Sequence, residues 1–66
     1  MKIICNGEIK EVAAGIKLGE LILKLELNPD TVVAECDGRV IQRQDYDSFE
    51  LSENSTLELI RFVGGG

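Results

Sequence analysis

At the end of the chain lies the stretch Leu57-Glu58-Leu59-Ile60-Arg61-Phe62-Val63-Gly64-Gly65-Gly66. Apolar residues dominate its first seven positions, which is typical of a β-strand. Glycine has no Cβ, so the last three residues can pass through a channel too narrow for a side chain. Extended, they reach about 10 Å beyond the strand. We predict a flexible tail whose free Gly66 carboxylate enters a partner's active site, with a frayed terminus as the alternative.

The composition describes one small acidic domain. Sixty-six residues allow a single small core, and we place the domain at 1–63 and the tail at 64–66. A net charge of −5 disfavours nucleic acid and anionic membranes as partners, because phosphate binding relies on clustered Lys and Arg. No segment approaches the ~20 apolar residues of a membrane span. We therefore expect a cytoplasmic protein.

Residues that could support catalysis or metal binding are scarce. Cys5 and Cys36 are the only cysteines, and the chain has no His to complete a zinc site or a Cys/His pair. Buried free thiols are favoured over a disulfide. Acidic residues lie close together between positions 45 and 53, but nothing nearby suggests a pocket, so we interpret them as solvated surface. We predict no metal site.

The N-terminal segment predicts a β-hairpin. Strand-forming residues 2–5 precede Asn6-Gly7, a strong hairpin signal because both residues accept positive φ. The return strand then covers residues 8–12. A two-residue turn would pair Cys5 with Glu8, whereas a bulged turn would pair Cys5 with Ile9 and bury both. We favour the bulged turn.

One helix follows, because Leu18, Leu21, Ile22 and Leu25 have the i, i+3, i+4, i+7 spacing of a helix face. Gly19 weakens this helix and no obvious N-cap residue precedes it. The helix should end before Pro29. Beyond it we predict strands at 31–36 and 40–41 joined by a turn, a loop with a helical turn at 42–50, and a final strand at 56–63.

The ending from Ser55 to Gly66 is similar to that of ubiquitin and its bacterial relatives, and the opening Met1-Lys2-Ile3 leading to Asn6-Gly7 resembles the ThiS family of sulfur carriers in thiamine biosynthesis. Leu21-Ile22 stands where that family has a paired-leucine helix, and residues 40–43 where it has a Val-Val-Pro-Arg-like segment. Tyr46 stands where a Trp is common. Gln42 in place of proline, Asn54-Ser55 in place of a Gly-Asp turn and Cys36-Asp37-Gly38 depart from the family pattern, and none touches the tail.

The resemblance implies an α+β, ubiquitin-like β-grasp fold: a mixed five-stranded sheet packed on one helix, with the last strand between strands one and three. Successive side chains of a strand point to opposite faces. If Leu57 and Leu59 face the helix, Ile60 and Phe62 stand on the open face beside the tail. We predict that these two form a partner-docking patch. The alternative is that they are ordinary exposed residues or are shielded by the Tyr46 loop.

The resemblance also implies the chemistry. A ubiquitin-activating-type adenylyltransferase would use ATP to adenylate Gly66, and a sulfur donor, a persulfide protein, would then convert it to a thiocarboxylate. A thiazole synthase would take that sulfur. In this scheme the tail, Gly64 to Gly66, is the sulfur-carrying site, and the chain is a co-substrate with no catalytic residue and no bound cofactor, not an enzyme.

Three alternatives remain open. A molybdopterin-synthase small subunit would share the tail chemistry and the fold but deliver sulfur to a pterin. A ubiquitin-like modifier would be joined to protein lysines through Gly66. A plain β-grasp interaction module would use the sheet face and not need the carboxylate.

Overall fold

The computed structural model describes residues 1–62, which form a five-stranded mixed sheet and one α-helix. The elements are β1 (Lys2–Cys5), β2 (Glu8–Glu11), α1 (Leu18–Lys24), β3 (Val32–Cys36), β4 (Arg39–Ile41) and β5 (Thr56–Arg61), with 3-10 turns at Pro29–Thr31 and Arg43–Asp45. The strand order is β2-β1-β5-β3-β4. Because β5 runs parallel to β1 and antiparallel to β3, the predicted β-grasp topology is confirmed.

The core lies between the helix and one face of the sheet. Four of its isoleucine and leucine residues have no exposed surface: Ile3 on β1, Leu18 and Ile22 on α1, and Leu57 on β5. Ala34 of β3 closes the same layer. No helix within residues 1–62 is long and apolar enough to cross a membrane.

The first hairpin has the two-residue turn, so the predicted bulge is wrong. Cys5 pairs with Glu8 and Ile4 pairs with Ile9. Asn6 and Gly7 have φ values of 49° and 80°, the pair of positive angles that a tight turn of matching twist requires, and no extra residue is needed. Since Ile9 lies opposite the outward-facing Ile4, it is 72% exposed instead of buried.

The predicted helix face is confirmed, and the N-terminus has a cap that the sequence analysis missed. The Lys17 backbone N–H donates to the Glu20 carboxylate at 2.9 Å, which satisfies one of the free N–H groups at the helix start. Gly19 is buried where the loop after β4 crosses the helix. A Cβ there would lie 3.3 Å from the Tyr46 carbonyl oxygen and 2.5 Å from Asp47 Oδ1. A side chain at position 19 would displace the Asp47 carboxylate and press on the Tyr46 carbonyl, so glycine suits this close approach of the loop to the helix.

The helix ends before Pro29, as predicted, but its last residue is Lys24. After Lys24 the backbone turns through Glu26, whose φ is 61°, and the Leu27 N–H donates to the Ile22 carbonyl at 3.1 Å. This left-handed C-terminal turn ends the helix without proline. Pro29 instead begins the short turn that leads into β3.

Candidate functional site

Val63 and the glycine tail lie outside the described residues. The domain boundary at residue 63, the tail Gly64–Gly66 and its sulfur-carrying Gly66 therefore remain predictions. Within the described part, β5 ends at Arg61 and Phe62 is the last residue. The candidate site is thus the surface around the end of this central strand.

The two faces of β5 differ as the alternation predicts. Leu57 is fully buried and Leu59 is 8% exposed, whereas Ile60 is 55% and Phe62 45% exposed. The two leucines belong to the same buried core as the helix residues, so the helix lies on the leucine side of the sheet. The predicted orientation of Ile60 and Phe62 is confirmed, and their role in docking stays a prediction.

Two further apolar side chains extend this surface. Val33 lies directly opposite Ile60 in the β3–β5 register, and Val40 of β4 is also exposed. Val33, Val40 and Phe62 line a shallow groove of about 210 Å³. We call Val33, Val40, Ile60 and Phe62 the terminal patch. Sequence reasoning missed the two valines, although alternation within 32–36 and the turn before β4 contain the signal.

An acidic pair interrupts the same face. Glu35 and Glu58 lie directly opposite each other in the β3–β5 register. Neither forms an ion pair with a basic group among residues 1–62. Like charges placed opposite each other in a sheet repel. The open face is therefore apolar at the end of β5 and negatively charged one residue pair further back.

The loop that contains Tyr46, residues 42–50, lines the same groove as the terminal patch and does not cover the patch. Tyr46 is buried, and its hydroxyl donates to the Val32 carbonyl at 2.6 Å. The Arg43 guanidinium lies 5.3 Å from the ring centre and also binds Asp30 at 2.9 Å. Because Phe62 stays 45% exposed beside this loop, shielding by Tyr46 does not account for the patch.

Both cysteines are buried free thiols, as predicted. They occupy the strands on either side of β5, and each pairs with Leu57 in its register. Burial is the main cause that raises the pKa of the Cys5 thiol and of the Cys36 thiol. Since the thiolate is the reactive form, neither residue is suited to accept sulfur from a donor.

Other surface features of residues 1–62 lie away from the end of β5. A groove of about 510 Å³ lies between β2 and α1, and none of its lining residues belongs to β5. Within residues 1–62 no three acidic, Cys or His side chains are grouped so as to hold a metal ion. Two of the predicted surface acids have structural contacts: Glu50 pairs with Lys17 at 3.0 Å, and Glu53 accepts from the Lys2 N–H at 2.6 Å.

Residues 3–66 match the ThiS family model. The chain belongs to the ThiS family. Solved structures agree, since the crystal structure of the thiamine biosynthesis protein ThiS from Geobacter metallireducens has a TM-score of 0.86 and 28% identity over all of both chains. An NMR structure of a thiamine biosynthesis protein from the same organism has a TM-score of 0.81 and 28% identity, covering all of this chain and 88% of that one.

Longer proteins also contain a region similar to this chain. Two proteins named thiazole synthase, from Magnetococcus marinus and Paramagnetospirillum magneticum, are 36% and 26% identical to it over 66 residues. The match covers the whole of this chain but only 20% of each relative. The ThiS-like region of those proteins is thus joined to a much larger remainder within one polypeptide.

Proposed function

We propose that this ThiS-family protein is a sulfur carrier of thiamine biosynthesis that donates sulfur from a C-terminal thiocarboxylate for thiazole formation. The observation that carries the proposal is the position of β5. This central strand lies between β1 and β3, is buried through Leu57 and Leu59, and precedes the glycine tail in the sequence. A rigid strand fixes the starting point of the tail, and the terminal patch gives partners a surface beside it.

The carrier chemistry begins with a carboxylate that is too weak an electrophile to react alone. In the proposed sequence, an oxygen of the Gly66 carboxylate attacks the α-phosphorus of ATP in the activating partner, and pyrophosphate leaves. The terminal sulfur of a donor persulfide then attacks the acyl carbon, and AMP departs with the bonding electrons. A thiol finally reduces the acyl disulfide, which releases the thiocarboxylate and leaves a disulfide on the donor side.

The chain itself has a limited task in this scheme. It presents the acyl carbon and keeps competing groups away, because its own two thiols are buried on the core side of the sheet. Catalytic groups and the ATP site belong to the partners. Thiazole synthase is the proposed recipient, supported by the similarity of this chain to a region of two proteins that carry that name.

Intact-mass spectrometry tests the proposal. The full chain is incubated with ATP, a competent ubiquitin-activating-type enzyme and a persulfide donor, and we expect one terminal oxygen to be replaced by sulfur at Gly66. Addition of thiazole synthase and its substrates should return the mass to that of the carboxylate. No mass change with an activating enzyme that modifies its own cognate carrier would contradict the proposal.

A truncated chain provides the matched control. Deletion of Gly65 and Gly66 removes the reacting group but no buried side chain, so we expect unchanged thermal stability and no adenylation. Conjugates of higher mass that contain the intact chain would instead identify a protein modifier, and sulfur transfer to a pterin would identify a molybdopterin-synthase subunit.

A further inference from the structure

The two edges of β5 are paired to different lengths. On one side β3 accompanies β5 from Cys36 opposite Leu57 to Val32 opposite Arg61. On the other side β1 pairs only as far as Cys5 opposite Leu57, because the chain then turns away at Asn6-Gly7. Within residues 1–62, the last part of β5 therefore has a neighbouring strand on one edge only.

Hydrogen bonding shows which backbone groups face the shorter side. The Phe62 N–H donates to the Thr31 carbonyl at 3.0 Å, toward β3. Backbone groups of alternate residues in a strand point to opposite edges. Together with the Val32–Arg61 register, this bond directs the backbone groups of Leu59 and Arg61 away from β3.

Asn6 occupies the first position where β1 is missing. Its backbone N–H donates to the Leu57 carbonyl at 2.8 Å, its Oδ1 accepts from the Leu59 N–H at 2.8 Å, and its Nδ2 donates to the Leu59 carbonyl at 3.3 Å. The side-chain amide thus replaces one residue of a paired strand. One step further along β5, the N–H and C=O of Arg61 find no hydrogen-bond partner within residues 1–62.

We propose that thiazole synthase adds an extended segment to this open edge, with main-chain hydrogen bonds to the N–H and C=O of Arg61. An unpaired strand edge is a template for strand addition. In this binding mode, main-chain hydrogen bonds provide the affinity, so varied side chains are tolerated. The edge begins beyond Asn6, and Arg61 stands three residues before Gly64 in the sequence, so an added strand would bind close to the start of the tail. The choice of partner rests on the proposed function and on the two relatives in which a ThiS-like region is part of a thiazole synthase.

Amide hydrogen exchange tests the pairing directly. In the free protein the Arg61 amide should exchange fast, while the flanking amides of Ile60 and Phe62, which face β3, are protected. In complex with purified thiazole synthase from the same organism, exchange at Arg61 should slow by about tenfold or more, since each factor of ten corresponds to about 1.4 kcal/mol of added protection. Slow exchange in the free protein that depends on its concentration would mean that a second copy occupies the edge, and would overturn the proposal.

Paired variants separate the backbone from the side chain. Arg61→Ala and Arg61→Pro both remove the guanidinium, but only the proline removes the N–H, and proline is tolerated where that N–H points to an open edge. With both variants folded by denaturant melts, we expect Arg61→Pro to bind thiazole synthase at least about tenfold more weakly than Arg61→Ala. Equal binding would overturn the strand addition. If the two variants bind equally and sulfur transfer to thiazole synthase continues, the proposed function stands without strand addition. If the unmodified chain neither binds thiazole synthase nor transfers sulfur to it, both the proposed function and the strand addition are rejected.

Discussion

The covered and open faces of the sheet both carry apolar residues, but these residues have different roles on the two faces. On the covered face, aliphatic side chains of β1, β5 and α1 are fully buried and specify the fold. On the open face, Ile60, Phe62 and Val40 are equally apolar but are about half exposed. The role of an apolar strand residue in this chain therefore depends on the sheet face to which its side chain points. Strand β5 contributes residues to both faces in alternation.

The largest effect is expected on the covered face. Leu57→Ala should destabilise the domain by roughly 2–5 kcal/mol, because it removes a fully buried side chain from the centre of the core. A urea melt followed by circular dichroism measures this loss. A cost below about 1 kcal/mol, the range of ordinary surface substitutions, would show that the sheet faces are assigned wrongly.

An intermediate effect is expected on the open face, and on binding instead of folding. Phe62→Asp should weaken binding of the activating enzyme by about 2 kcal/mol or more if the terminal patch is a hot spot, while unfolding changes by about 1 kcal/mol or less. Titration calorimetry gives the binding change. Ile9→Asp is the matched control, since Ile9 is more exposed than Phe62 but lies on the edge strand β2. Equal losses for both variants would argue against a patch localised beside the tail.

The smallest effect is expected at the support beneath the patch. Tyr46→Phe removes the hydroxyl that donates to the Val32 carbonyl and should cost about 1 kcal/mol of stability, the usual net value of such a bond. Binding of the activating enzyme should be nearly unchanged, because the ring remains in place. A larger loss of binding than of stability would mean that Tyr46 positions the terminal patch more directly than its buried contact indicates.

Local patterns in the sequence predicted most of the helix and strand positions, whereas the β-grasp arrangement of these elements was predicted from the family resemblance. Helix periodicity, the turn dipeptides and the alternation within β5 each depend on residues close in sequence, and each is confirmed. The hairpin register was wrong because the sequence pattern allowed two pairings of Cys5, and only the backbone angles of Asn6 and Gly7 decide between them.

Other features were hidden because they depend on distant residues. From the sequence alone, Gly19 is only a residue of low helix propensity, and its role becomes clear from the Tyr46 carbonyl that lies beside it in the structure. Asn6 reads as a turn residue until its side chain is seen bonded to Leu59, and Val33 joins the terminal patch only through its pairing with Ile60. The tail was predicted from composition and from the family resemblance, and it lies outside the described residues.

The most direct test of the different roles of the two sheet faces compares two neighbouring residues of β5, Leu59 and Ile60, by stability and by reactivity in one experiment. The free energy of unfolding and the rate of thiocarboxylate formation are measured for Leu59→Ala and Ile60→Asp, at a temperature where both are folded. We predict that Leu59→Ala loses roughly 2–5 kcal/mol of stability but keeps its rate, whereas Ile60→Asp loses about 1 kcal/mol or less and reacts at least about tenfold more slowly at limiting enzyme. An Ile60→Asp chain that is thiocarboxylated as fast as the unmodified protein would contradict the division of work between the two faces.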